Sequence, residues 1–476
     1  MHITKKIGLL LGPILFFIIV NLPFFLISEK GDAVIAVALW MVIWWITETV
    51  NIAVTALLPL ILFPLLKVME IDAVGANYGS PIIFLFFGGF ILALALEKVN
   101  LHKRIALNIV KFTGTTPNKV VLGFMIATGF MSMWISNTAA TVVMLPIAIS
   151  VIKLLIDDKD GFTKGDKNFA LSIMLGIAFA ANAGGIATVI GTPPNSVLIG
   201  LLENQYNIQI SFLTWMSFGL PFSIIMIVAV YFVLVKLMFP SKGILFSASA
   251  NLISDEVEKL GKISKEEKRV LLIFGITVFL WVTRTIINSI FTDLKLSDTI
   301  ISLIGAVSLF AIPMNFHKGN FILKWKDTEK LAWGILVLFG GGLALANAME
   351  SSGLVALVTD VIAAGNLNVL VTVSLLIILM LFMTELMSNV ALVAVMAPVV
   401  AGIAIGLNIP ILNLLIPVTI ASSCAFMLPM ATPPNAIVFA SGYVKVNQMV
   451  KAGIILNLIA VGLLILYYQF VIPLFF

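Results

Sequence analysis

Along the chain, apolar residues come in runs of about twenty, long enough for a helix to cross a bilayer. Small clusters of Lys, Asp, Asn, Gly and Pro separate them. In the first hundred residues such runs fall near 7–27, 33–47, 52–66 and 80–97. Residues 100–113 differ: basic and apolar residues alternate at helical spacing, which predicts a helix lying in the membrane interface. Further apolar runs cover 117–154, 168–202 and 212–238. The longest polar loop, 241–268, precedes runs near 269–291, 297–315, 331–350, 367–403, 409–441 and 450–474.

Polar residues interrupt four of these runs. Ser136-Asn137-Thr138 lies in the middle of 117–154, within a stretch, 131–146, that carries no charge. Ser, Asn and Thr cap helix N-termini, and backbone inside a bilayer must find its hydrogen bonds within the protein. The tripeptide therefore reads as the tip of a re-entrant hairpin; a polar kink in an ordinary spanning helix is the alternative. At such a tip the ending half-helix offers free carbonyls to a cation, and the starting half offers N–H groups to an anion. Residues 367–403 form a second hairpin of this kind. The runs 168–202 and 409–441 are expected to break near 191 and 431, each at a Thr-Pro-Pro-Asn. Thr before Pro suits an N-cap, and Pro suits the first turn, where its missing N–H costs nothing. A plain proline kink is the simpler alternative.

Composition agrees. The chain is 61% hydrophobic and 11% charged, where a soluble domain carries about 25% charged residues. No small-residue cleavage site follows the first apolar run, which is therefore expected to be a membrane helix. The single cysteine, Cys424, cannot form an internal disulfide. The +5 net charge is attributed to cytoplasmic loops and not to nucleic-acid binding. Lys5 and Lys6 place the N-terminus in the cytoplasm. About eleven spans then put 98–119, 153–167, 236–269, 318–330 and 445–451 on the same side and the C-terminus outside. An inner (plasma) membrane location follows.

The chain repeats itself. Phe86-Phe-Gly-Gly-Phe-Ile-Leu-Ala93 resembles Phe339-Gly-Gly-Gly-Leu-Ala-Leu-Ala346, and Glu97 matches Glu350. Ser136-Asn137-Thr138 matches Ser388-Asn389-Val390, and Thr192-Pro-Pro-Asn195 matches Thr432-Pro-Pro-Asn435. The fold expected is an all-α polytopic membrane protein of about 11 transmembrane helices plus two re-entrant hairpins, built as inverted repeats over about 33–240 and 269–476. Secondary transporters with this plan bind near the midplane, on discontinuous helices. Four half-helix N-termini then suit a small oxyanion. No Lys, Arg or His lies between Val120 and Ile152 or between Val371 and Val444, so the compensating charge should arrive with the substrate, as Na⁺ or H⁺.

The paired Ser-Asn-Thr and Thr-Pro-Pro-Asn motifs, with Trp44-Trp45-Ile-Thr-Glu48, resemble those of the divalent anion/sodium symporter family, the dicarboxylate carriers. The resemblance covers essentially the whole chain. It implies an elevator-type homodimer, with scaffold parts at 1–116 and 241–365 and transport parts at 117–240 and 366–476. It also implies Na⁺-coupled uptake of C4-dicarboxylates such as succinate, malate and fumarate. By resemblance, Ser136, Asn137, Thr138, Ser388, Asn389 and Thr432 contact substrate. One Na⁺ site carries onto Ser132, Ser136, Asn137 and Gly191, and the other onto Thr384, Met387, Asn389 and Ala431. The chain departs from the pattern at Val390, one hydroxyl short of a second Ser-Asn-Thr. A sulfate or citrate carrier and a Na⁺-independent dicarboxylate exchanger are the alternatives.

Other residues carry less. Glu48 is expected to make a structural hydrogen bond, and Glu385 to orient the second tip or to carry a proton. His2, His102 and His317 are expected at loops or interfaces as bystanders. An enzyme would need a nucleophile–base pair or a metal cluster, and no His-Glu-x-x-His is present. A channel would also use broken helices, but is usually assembled around a symmetric pore.

Overall fold

The apolar runs of about twenty residues fold as helices because a helix satisfies its own backbone where hydrocarbon offers no partner. The computed structural model describes residues 3–22, 28–114, 116–156, 163–241, 249–315, 320–365 and 368–476. Apart from helices, these residues hold one short antiparallel pairing of Pro313–Asn315 with Asn320–Phe321. Eight of the described helices are long and apolar enough to cross a membrane, and six apolar helices are shorter.

The order of helices recurs in the two halves. Pro81–Lys98, Leu101–Thr113, Pro117–Ser132, Asn137–Ile156, Lys164–Gly185, Pro193–Tyr206 and Phe212–Tyr231 are followed later by a second set. That set is Trp333–Ser351, Leu354–Ala364, Val369–Met383, Asn389–Gly406, Ile411–Ser423, Pro433–Ala440 and Val446–Leu466. All four expected interruptions are present: the helices stop at Ser132, Gly185, Met383 and Ser423 and restart at Asn137, Pro193, Asn389 and Pro433.

Several details differ from expectation. Residues 52–66 are not one span. Helix Glu29–Thr47 ends at Glu48, whose φ of 44° is left-handed, and Asn51 caps a single turn, Ile52–Thr55. The chain restarts as Leu58–Leu65, with Pro59 in its first turn. Glu48 is exposed and makes no hydrogen bond among the described residues; its contribution is the backbone turn. The tryptophans beside it do the tethering. Trp44 Nε1 donates to Gly8 O and Trp45 Nε1 to Ile52 O, each at 3.1 Å. The polar stretch 241–268 contains a helix, Ser249–Lys259. Helix Leu354–Ala364 had no counterpart in the sequence expectation.

The helix expected in the interface, Leu101–Thr113, is also a packing element. It buries Leu101, His102, Ala106, Leu107 and Val110, and His102 Nδ1–H donates to Leu96 O at 2.9 Å. His102 is thus a buried structural residue. His2 and His317 lie outside the described residues. Arg104 closes the far side of this helix with a fork on Glu267, at 2.6 and 3.2 Å, and bonds to Leu260 O and Gly261 O.

Helix Lys164–Gly185 is the most enclosed span. It packs on Pro117–Ser132, Asn137–Ile156, Phe212–Tyr231 and Pro433–Ala440. It therefore touches both the first hairpin and the restarted helix of the second half.

Candidate functional site

The first interruption is built from short polar side chains against bare carbonyls. Ser136 caps helix Asn137–Ile156, with its Oγ accepting from Ala139 N at 3.2 Å. Ser132, fully buried, places Oγ 2.5 Å from Asn137 Oδ1 and 2.7 Å from Ala181 O. A hydroxyl has one hydrogen, so it cannot serve both acceptors at once. Thr188 Oγ1 donates to Met133 O at 2.6 Å, tying the break at 186–192 to the tip of the hairpin. Asn195, from the first Thr-Pro-Pro-Asn, donates to Thr188 O at 2.8 Å.

Two glycines let these carbonyls crowd together. A Cβ at Gly191 would lie 2.5 Å from Gly185 O and 3.0 Å from Ser132 O; one at Gly185 would lie 2.6 Å from Asn137 Oδ1 and 3.1 Å from Gly191 O. Ser132, Asn137 and Gly191, three of the four residues that the resemblance assigns to one Na⁺ site, are therefore neighbours. The hard oxygens gathered there suit a small hard cation.

The second half reproduces the arrangement. Thr384, also fully buried, places Oγ1 2.7 Å from Asn389 Oδ1 and 2.5 Å from Ser422 O. Again one hydroxyl hydrogen faces two acceptors. Asn435, from the second Thr-Pro-Pro-Asn, donates to Ala425 O at 3.2 Å and Leu428 O at 3.1 Å. Met387 is buried at the tip, and Ala431 N–H donates to Leu428 O at 3.2 Å in the facing break. Ser388 begins helix Asn389–Gly406 without a side-chain capping bond. Thr138 and Ser388 are half-buried and Ser136 is exposed, so their hydroxyls remain reachable; Val390 is buried.

Glu385 is the acid of this region, and it is fully engaged. Oε1 accepts from Phe426 N and Met427 N at 2.9 Å and from Asn457 Nδ2 at 2.8 Å; Oε2 accepts from Leu428 N at 3.0 Å. Four donors and no acceptor suit an ionised carboxylate. Glu385 thus pins the break at 424–432 to the hairpin, in keeping with an orienting role and not with a proton carrier.

The halves interlock. Helix Pro433–Ala440 packs on Asn137–Ile156, and Pro193–Tyr206 packs on Asn389–Gly406. Asn182 bonds across to Thr432 Oγ1 at 3.1 Å. Sequence reasoning missed Ala181 O and Ser422 O, because backbone carbonyls leave no mark in residue type. It also missed Asn182, whose signal was an amide inside the small-residue run 178–185.

The family model for the sodium:sulfate symporter transmembrane region matches residues 4–476. This chain belongs to the sodium:sulfate symporter family. Membership places it among membrane transporters and not among enzymes. Similar proteins include the sodium-dependent dicarboxylate transporter SdcS of Staphylococcus saprophyticus, 40% identical over 480 residues, covering 99% of this chain and 92% of that relative. SdcS of Staphylococcus aureus is 39% identical over 477 residues, with 98% and 91% covered. Among solved structures, the Alcanivorax borkumensis YdaH transporter matches with a TM-score of 0.59 over 84% of this chain and 88% of its own, at 15% identity. That likeness is one of fold.

Proposed function

We propose that this symporter-family chain is a secondary active transporter that takes up C4-dicarboxylates together with Na⁺. The observation that carries the reading is the twin arrangement at Ser132–Asn137–Ala181 O and Thr384–Asn389–Ser422 O. Each is a neutral oxygen cluster at a helix break, and each sits beside a helix start that favours an anion. No Lys, Arg or His lies between Val120 and Ile152 or between Val371 and Val444, around the two tips, so the positive charge that offsets a dianion enters with it. Na⁺ is the cation that hard oxygens take without a titratable group.

In this reading one Na⁺ sits at Ser132, Ser136, Asn137 and Gly191, and the other at Thr384, Met387, Asn389 and Ala431. The substrate carboxylates face Ser136, Asn137, Thr138, Ser388, Asn389 and Thr432. About eleven crossing spans and two re-entrant hairpins form inverted repeats, with a cytoplasmic N-terminus and an outer C-terminus. Residues 117–240 and 366–476 form the moving part of an elevator. Residues 1–116 and 241–365 form the scaffold of a homodimer. The names of the relatives and the cross-packing of the two halves support it.

Uptake of labelled succinate into proteoliposomes, with and without an inward Na⁺ gradient, tests this reading. Uptake should depend on Na⁺ and be inhibited by malate and fumarate. Undiminished uptake in Na⁺-free buffer, or competition by sulfate or citrate alone, would replace it.

A further inference from the structure

Asn182 is 1% exposed and lies in the last turns of helix Lys164–Gly185, deep in the protein. Its Nδ2 faces three oxygens of the second half: Ala425 O at 2.9 Å, Thr432 Oγ1 at 3.1 Å and Asn435 Oδ1 at 3.4 Å. Ala425 O, a carbonyl, can only accept, and that contact orients the Asn182 amide. Asn182 Oδ1 is left buried and without a partner.

The neighbours of Asn182 set it between the two clusters. Ala181 O, one residue earlier, faces the Ser132 hydroxyl, and Gly185, three residues later, packs against Asn137 Oδ1. One stretch of helix is therefore a wall of the first oxygen cluster and, through one side chain, a tie to the break at 424–432. Phe179, three residues before Asn182, meets Phe426 edge-to-face at 5.3 Å on the same side. Phe426 N is in turn held by Glu385, which adjoins Thr384 of the second cluster.

We propose that Asn182 is a positioning residue that couples the two cation clusters, so that filling one favours filling the other. The proposal rests on the two-Na⁺ reading above. A cation at the first cluster takes the Ser132 and Asn137 side-chain oxygens, and the single Ser132 hydrogen then turns to Ala181 O. The turn 181–185 then settles in one arrangement, and Asn182 passes that choice to Ala425, Thr432 and Asn435. Such coupling is reciprocal.

The test is a Na⁺ titration of the purified full-length protein without substrate, followed by tryptophan fluorescence, and of succinate uptake in proteoliposomes. Wild type is expected to respond sigmoidally. Asn182→Leu, which keeps the branched shape and removes the donor, and Asn182→Ala should respond hyperbolically, with half-saturation raised about tenfold. A purely structural role would lower the melting temperature and leave the shape of the curve unchanged. The wild-type background gives a second measurement should neither variant fold: Ser132→Ala and Thr384→Ala should affect Na⁺ response non-additively. A sigmoidal wild type with equally sigmoidal Asn182 variants, or strict additivity of the Ser132 and Thr384 substitutions, overturns the coupling and leaves the Na⁺ reading standing. A hyperbolic wild-type curve also overturns the coupling, whereas a wild type with no response to Na⁺ overturns the Na⁺ reading on which it rests.

Discussion

Asn457 donates its side-chain amide to Glu385 Oε1 at 2.8 Å, joining helix Val446–Leu466 to the tip of the second hairpin. The same carboxylate holds three consecutive backbone N–H groups. Each buried donor left without an acceptor costs about 1–3 kcal/mol. Glu385→Ala is therefore expected to lower the melting temperature of the solubilised protein by several degrees and to abolish uptake. Glu385→Gln retains one oxygen and should fall in between. A Gln variant that keeps wild-type stability while losing only a proton dependence would return Glu385 to the role of proton carrier.

Ser132 and Thr384 each supply one oxygen to a cluster and little packing volume. Ser132→Ala and Thr384→Ala should fold and raise the Na⁺ concentration for half-maximal uptake about tenfold each, equivalent to ~1.4 kcal/mol. Asn137→Ala and Asn389→Ala remove the shared amide oxygen and should abolish uptake while leaving the melting temperature nearly unchanged. Initial rates across a Na⁺ series check both expectations. Wild-type uptake by either Asn variant at low substrate would remove the tips from the site.

Gly191 has backbone carbonyls on two sides, and carbonyls do not turn away as a side chain would. Gly191→Ala should cost about 1–3 kcal/mol through overpacking. It should also spread Gly185 O from Ser132 O, so that stabilisation of the purified protein by Na⁺ disappears. Retained Na⁺ stabilisation, read as a melting-temperature shift, would place the cation elsewhere.

His102 lies outside the spans, in helix Leu101–Thr113. Burial pushes its imidazole below the ordinary histidine value, the Leu96 carbonyl opposes that shift, and Lys103 adds to it. The folded state thus favours the neutral ring, while the unfolded chain titrates near about 6.5. The stability contributed is full above that value and is lost as pH falls through the lower, folded value. Melting temperature should decline on acidification below about pH 6.5, and His102→Gln should flatten that decline. An identical pH profile for the Gln variant would assign the decline to other groups.

What the sequence disclosed followed from chemistry that residue type records. Ser136-Asn137 and Ser388-Asn389 stand out because polar residues are costly in an apolar run, and the prolines after Thr192 and Thr432 mark restarts. The matching of the halves was legible from those motifs. Less legible were features that depend on neighbours. Whether 52–66 would cross whole turned on Asn51 and Pro59 acting together. Helix Leu354–Ala364 lacks the basic residues that mark Leu101–Thr113, so its place in the second half was hidden. Glu48 and Glu385 look alike in sequence, yet one is exposed and the other takes four hydrogen bonds. Only the fold, by bringing residues 426–428 to Glu385, separates them.

The enclosure of helix Lys164–Gly185 bears on how the chain is assembled. A segment wrapped by protein on every side needs no lipid-compatible surface, and this one carries Asn168, Ser172 and Asn182 along its length. Alone in a bilayer, those groups would face hydrocarbon without partners, so the segment would be held there weakly. Ser172 gains its acceptors, Leu234 O and Phe239 O, only from the following span, and Asn182 gains its own only from residues some 250 positions downstream, as the residue separation to Thr432 records. Stable integration of this helix is therefore expected to await later segments of the chain. Truncating the chain before 424 should leave the first half exposed to quality-control proteolysis, even though every one of its own helices has been synthesised.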